Sequence, residues 1–279
     1  FMVVTVLSAC SVENRNESKK IIASFYPLQY ILDELIGTPG EVENVTPIGA
    51  EPHDLELSPD AVEDIHDAEF VLVMGDGFQP AVERIAKENN NSFAVLDELF
   101  DGESVDDPHF WLDPVLMQQA TTIISKKLIE RYPDKKTTIE LNANELNAKL
   151  DTLNSQFVSA FQTCETKTII TSHEAFGYMA KRYGLEQESI AGFSPENEPT
   201  PDRLSKLVEL ANKTNTKVIF SEDLVSDKLA KALASEIGAN TETLNAVEFL
   251  TDEDLASSND YFSIMLAAKV KIASALGCG

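Results

Sequence analysis

Three of the four histidines in this chain share one kind of setting. His53 lies in Glu51-Pro52-His53-Asp54, and His109 in Asp107-Pro108-His109-Phe110-Trp111-Leu112-Asp113-Pro114. His173 lies in Thr171-Ser172-His173-Glu174. Each falls in a loop at or after the C-terminal end of a predicted strand, the edge where open α/β sheets bind ligands. Neutral imidazole is a common ligand for Zn²⁺. Three such loops could converge on one ion. On spacing alone, loop histidines that only hydrogen-bond are the more common case. His66, inside the helix that follows Ser58, reads as a surface residue. Trp111 reads as packing beside His109, and Asp113 as a helix cap.

The same residues bear on catalysis. A zinc hydrolase needs an open coordination position. The chain has no His-Glu-x-x-His pattern, and His173-Glu174 is only a fragment of one. A Gly-x-Ser-x-Gly elbow is also missing.

The loops need elements to position them. In the first half, apolar runs alternate with helical patterns. Strands are predicted over 21–25, 42–46, 70–74 and 93–96. Helices are predicted over 27–36, 58–68 and 79–87, and from Asp113-Pro114 to Arg131. A long helix is predicted over 135–162, because Leu146, Leu150, Leu153, Phe157 and Phe161 recur at helical spacing. At 1.5 Å per residue it would span about 42 Å. Such a helix could join two lobes or form a coiled coil, although one stripe of this length is short for the latter. The second half repeats the alternation. Strands are predicted over 168–171, 218–220 and 243–244. Helices are predicted over 174–183, 201–212, 226–237 with Ser226 as cap, and from Tyr261 to beyond Ile272. Alternating strands and helices imply βαβ units and mostly parallel sheets.

Composition narrows the function classes. The chain has 279 residues, 22 Lys+Arg against 47 Asp+Glu, and a net charge of −25. Such a chain repels nucleic-acid phosphates and attracts cations. No run is long and apolar enough for a membrane span. Residues 1–9 (FMVVTVLSA) read as the end of a signal h-region, and Leu7-Ser8-Ala9-Cys10 resembles a bacterial lipobox, with Cys10 as the lipidated residue. Residues 11–19 read as a polar tether. Cys164 precedes a predicted strand and Cys278 follows the last helix; in an exported protein the two are expected to pair.

Several longer stretches make a resemblance specific. They are GAEPHDLELSPDAVEDIHDAEFVLVMG (49–75), DPHFWLDP (107–114), TSHEAFGYMAKRYGL (171–185) and SPENEPTP (194–201). VIFSEDLVSDKLAKALASEIGA (218–239), LNAVEFLT (244–251) and NDYFSIM (259–265) continue the series. In this order they resemble the metal-specific solute-binding proteins of ABC importers (cluster A-I), most closely the zinc branch. The resemblance implies an α/β fold of two (β/α) lobes, each with a mostly parallel sheet, joined by one long backbone helix. The expected division is 1–19 as signal remnant and tether, 20–118 as the first metal-binding lobe, 119–163 as the linker with the interlobe helix, and 164–279 as the second lobe.

Carried over residue by residue, the metal ligands fall on His53, His109, His173 and, as the carboxylate, Glu248. The usual Pro of that last motif is Ala246 or Val247 here. Glu174 and Glu222 are candidates to accept hydrogen bonds from the ligating rings. Three imidazoles and one carboxylate suit tetrahedral Zn²⁺, whereas Mn²⁺ favours more oxygens and higher coordination. The implied function is a non-enzymatic, extracytoplasmic receptor that captures one Zn²⁺ and delivers it to a membrane permease. Mn²⁺, or both metals, is the alternative cargo. The implied receptor is a monomer, binds no nucleic acid and meets the membrane only through a lipid anchor. Adhesion is a further role of some exported lipoproteins that these residues neither support nor exclude. The stretch before His109, Asp101–Asp107, is short and acidic where many zinc-branch proteins carry a histidine-rich loop. Its carboxylates are expected to concentrate cations near the mouth of the site. Affinity is expected to fall below about pH 6, because imidazoles must lose protons to bind.

Overall fold

A computed structural model describes residues 20–38, 40–223 and 226–279. Cys10 and the residues 1–19 expected to form the signal and tether lie outside them. In the first half, β1 (Ile21–Ala23), β2 (Val42–Asn44), β3 (Phe70–Val73) and β4 (Ser92–Ala94) form a parallel sheet in the order β2-β1-β3-β4. In the second, β5 (Thr168–Thr171), β6 (Glu186–Ser189), β7 (Val218–Ser221) and β8 (Asn240–Thr243) repeat that order as β6-β5-β7-β8, again parallel. The apolar runs of β3 and β5 are buried throughout, as expected of parallel strands covered by helices on both faces. In each sheet the central pair is where consecutive crossovers part to opposite sides, and a crevice opens beyond the strand ends.

The long helix runs from Lys136 to Ala160, 25 residues, after a 3-10 turn at Pro133–Lys135. It is about 38 Å long at 1.5 Å per residue. Its buried stripe is Ile139, Ala143, Leu146, Leu150, Leu153 and Phe157. It packs on helix Pro114–Arg131, helix Tyr26–Ile36 and the last helix, Tyr261–Ala275. Polar contacts tie it to both halves. Asn142 donates to the Leu35 carbonyl at 3.0 Å, and the Tyr183 hydroxyl donates to Asn154 at 3.1 Å. One apolar core runs from Leu28 and Phe110 through Leu146 and Phe157 to Phe176 and Tyr261. The two lobes therefore share a packed core, and the coiled-coil alternative for the long helix falls away. Among the described residues no helix is long and apolar enough to cross a membrane.

Several elements differ from expectation. The predicted strand 93–96 ends at Ala94, and Val95–Leu99 is a short helix. Its partner β3 stops at Val73, so the chain turns there with Leu96 N–H on the Met74 carbonyl. β6 (EQES) has no counterpart among the predicted strands, because all four of its residues are polar; pairing with β5 holds it. The helix expected from Glu174 starts at Gly177, since 172–176 form the irregular turn that carries His173. The strand expected at 243–244 lies at Asn240–Thr243, next to β7. Asp227, not Ser226, stands at the N-cap of Lys228–Ile237, and its side chain makes no cap hydrogen bond.

Cys164 and Cys278 are joined by a disulfide, 114 residues apart in sequence. It fastens the end of the last helix to the start of β5. Closing a loop of this length removes about 4–5 kcal/mol of unfolded-state entropy on the chain-entropy model. Reduction, or the double substitution Cys164→Ser and Cys278→Ser, is expected to lower Tm by about 5–15 °C for a chain of this size. The metal-binding stoichiometry should not change, because the bridge is remote from the loops that follow the strands. Thermal denaturation followed by circular dichroism, with and without reductant, measures the first, and metal analysis the second.

Candidate metal centre

The first-lobe histidines are presented by the same local device. In Glu51-Pro52-His53 the Glu51 carboxylate accepts from the His53 backbone N–H at 3.1 Å. In Asp107-Pro108-His109 the Asp107 carboxylate accepts from the His109 N–H at 2.9 Å. The intervening proline fixes its own φ near −65° and brings no competing donor. His173 follows β5 directly, two residues past Thr171. Glu248 lies five residues past β8, in the loop Asn245–Phe249. All four residues thus stand beyond strand C-terminal ends, two from each lobe.

The structure brings His53, His109, His173 and Glu248 together, with one potential ligand atom from each within 4.8 Å of all the others. Glu248 Oε1 lies 3.5 Å from His53 Nε2, 3.3 Å from His109 Nε2 and 3.4 Å from His173 Nε2. His109 and His173 are fully buried, and Glu248 is 2% exposed. A cleft of about 290 Å³ opens onto His53 and is lined by Asp54, Asp76, Phe78, Asp106 and Phe193, among others.

The outer ring nitrogens decide what the inner ones offer. His109 Nδ1 donates to Asp107 at 2.8 Å, and His173 Nδ1 donates to Glu222 at 2.7 Å. With their protons on Nδ1, the neutral rings carry lone pairs on Nε2. Those two Nε2 atoms are 3.3 Å apart. Lone pair would face lone pair beside a buried carboxylate. His53 Nε2 and Glu248 Oε1 have no hydrogen-bond partner although both are buried, and leaving such atoms unmatched is costly. A cation among the four would satisfy every one of them. Three nitrogens and an oxygen that close on one point fit a four-coordinate zinc.

Without a metal, protons compensate. Burial lowers the affinity of His109 and His173 for protons, but the carboxylates of Asp107, Glu222 and Glu248 outweigh it. Both imidazoles are held above their ordinary range, His173 well above. Burial pushes Glu248 up, but the three imidazoles that face it outweigh burial and hold the carboxyl well below its ordinary range. Glu51 is pushed up to about 8, by burial first and then by the Glu248 charge.

Glu222 meets the His173 ring, and it also accepts from the Ser172 hydroxyl. Among the described residues the Glu174 carboxylate meets no imidazole; its backbone N–H donates to the Gly192 carbonyl instead. Asp107, grouped with the solvated acidic loop, is the partner of His109. The signal was present in the acid-Pro-His tripeptide, which occurs twice. Asp113 caps helix Pro114–Arg131 through Val115 N–H and pairs with Arg182. His66 is exposed and pairs with Asp67 at 2.7 Å. Trp111 packs beside His109, ring centroids 5.0 Å apart.

Comparison with known proteins places this geometry. The chain is 34% identical over 276 residues to the high-affinity zinc uptake system protein ZnuA of Bacillus subtilis, covering 91% of this chain and 86% of that protein. It is 33% identical over 281 residues to the zinc-binding lipoprotein AdcA of Streptococcus pneumoniae, covering 93% of this chain and 56% of that protein. The chain thus spans little more than half of AdcA. The Zn(II)-bound ZnuA-like domain of AdcA superposes with a TM-score of 0.78 at 32% identity, over 92% of this chain and 98% of the domain. The laminin-binding protein Lmb of Streptococcus agalactiae, described as having adhesin and metal-transporting activity, gives 0.83 at 29% identity, over 92% and 99%. The family model for ZnuA, zinc-uptake complex component A, periplasmic, matches residues 21–275. The chain belongs to the ZnuA family.

Proposed function

We propose that this chain is a zinc receptor of an ABC importer, which holds one Zn²⁺ between its lobes on His53, His109, His173 and Glu248. The convergence of those four side chains, with His53 Nε2 and Glu248 Oε1 left without hydrogen-bond partners, carries the reading. The ZnuA match, the zinc-named relatives and the Zn(II)-bound domain of AdcA support it. Zinc is the cargo: it is bound and released by coordination, with no covalent step. Four protein ligands leave no coordination position for an attacking water, so the hydrolase reading has no chemical step to rest on. Asp107 and Glu222 orient the rings and keep their lone pairs inward. The set of three nitrogens and one oxygen favours zinc over manganese.

On this reading the working partner is a membrane permease. The lobes divide over 20–118 and 164–279, with 119–163 between them. The receptor acts as a monomer outside the cytoplasm, anchored through lipid on Cys10. Globomycin-sensitive processing and mass spectrometry of the mature N-terminus test the anchor.

Glu248→Ala is expected to weaken zinc binding by more than about 100-fold, beyond what losing a partner behind a ligand costs. Asp107→Asn and Glu222→Gln are each expected to weaken it by about 10–100-fold. Competition titration against a chromophoric chelator measures all three, and unchanged affinity in Glu248→Ala would remove the carboxylate from the set. The pH dependence follows from the raised imidazoles. Zinc must displace the protons that His109 and His173 bind, so affinity is full above their metal-free pKa values and falls as pH drops through them. Because both lie above the ordinary imidazole value of about 6.5, the fall should begin at higher pH than unperturbed histidines would give. Apparent Kd measured from pH 8 to pH 5 gives the onset.

A further inference from the structure

Val247, immediately before Glu248, has φ +61° and is fully buried. A β-branched residue in the left-handed region is strained, because its Cβ substituents crowd the following carbonyl. Such a conformation persists only where the surroundings hold it. Two hydrogen bonds do so here. Val247 N–H donates to Asn245 Oδ1 at 2.6 Å within the loop. The indole N–H of Trp111 donates to the Ala246 carbonyl at 2.8 Å, across 135 residues of sequence.

Trp111 is itself fixed. It is fully buried, and its own carbonyl accepts from the Tyr261 hydroxyl at 2.6 Å. Its ring lies against Phe25, with centroids 4.9 Å apart, and against His109. It therefore belongs to the segment that carries His109 from the first lobe, while its hydrogen bond reaches the loop that carries Glu248 from the second. Parting the lobes at this point must break that bond, together with the one from Tyr261, which also stands in the second lobe.

We propose that Trp111 is a positioning residue for the metal: it holds the strained Ala246–Val247 turn so that Glu248 stays aimed at the three imidazoles. The inference rests on the zinc-receptor reading and adds to it a route for release. When the Trp111–Ala246 bond opens, the turn relaxes out of the left-handed region and carries the carboxylate away. The ligand set then drops from four to three. Separation of the lobes and loss of the carboxylate become one event.

The test is zinc dissociation, measured by stopped-flow against an excess of chelator, alongside the association rate. Trp111→Phe keeps an aromatic ring and removes only the donor side of the indole. It is expected to speed dissociation by about tenfold, since a buried carbonyl loses its partner, while association changes less than twofold. Tyr261→Phe, which removes one hydroxyl, is expected to speed dissociation to a smaller extent and guards against a Trp111 variant that fails to fold. Adding Val247→Gly to Trp111→Phe removes the penalty for the left-handed turn. It is expected to restore dissociation to within about threefold of the wild type. A merely structural role for Trp111 predicts the opposite, because Val247→Gly also deletes a buried side chain. The Cys164→Ser, Cys278→Ser variant, destabilised elsewhere, should leave dissociation unchanged. Wild-type dissociation in both Trp111→Phe and Tyr261→Phe, or no rescue by Val247→Gly, overturns the positioning role while leaving the receptor reading standing. A wild type that holds no zinc overturns both.

Discussion

Three imidazole nitrogens and a carboxylate oxygen crowd within 4.8 Å of one another, three of the four residues buried, and much of the molecule holds them there. The nitrogens of His109 and His173 approach to 3.3 Å with Glu248 Oε1 beside them. In a low-dielectric surrounding, such a cluster is tolerable only when positive charge sits among its members. Protons can supply it at His109 and His173, whose rings are held basic, while the Glu248 carboxyl is held acidic. A divalent cation supplies it better, because one charge centre answers all four atoms at once.

That demand explains the architecture around it. Loops alone could not hold four such groups at this separation. Both sheets have the same strand order, and both present their strand C-terminal ends to the cluster. The core that runs from one lobe to the other along helix Lys136–Ala160 resists their drifting apart. The lobes behave as one packed body with a seam, and the polar bonds across that seam lie near His109.

Much of this was legible in the sequence. The three loop histidines stood out as candidates because each lies in a loop beyond a predicted strand, and the resemblance made them ligands; the long helix was legible because its apolar stripe keeps helical spacing over many turns. Glu248 had no local mark; it came from resemblance to related chains, since a glutamate in a polar loop looks like any other. β6 was invisible because a strand of Glu, Gln, Glu and Ser is made by its neighbour, not by its own propensity. Glu174 and Glu222 looked equivalent on paper, one beside His173 and the other 49 residues away. The distant one meets the ring, because β7 lies next to β5 and ends at the same edge. Asp107 was read with its acidic neighbours when its relation to Pro108 and His109 was the informative part.

The carboxylates behind the rings have a final consequence. Asp107 clasps both the backbone and the ring of His109, and Glu222 clasps the ring of His173 together with the Ser172 hydroxyl. Rings tethered at their far ends have lost their rotational freedom during folding, so little configurational entropy is left to lose when an ion arrives. The same stiffness limits choice. Two tethered rings would suit an ion content with four ligands better than one that favours six oxygens, so discrimination would reside in how firmly the rings are held as well as in the identity of the atoms that line the site.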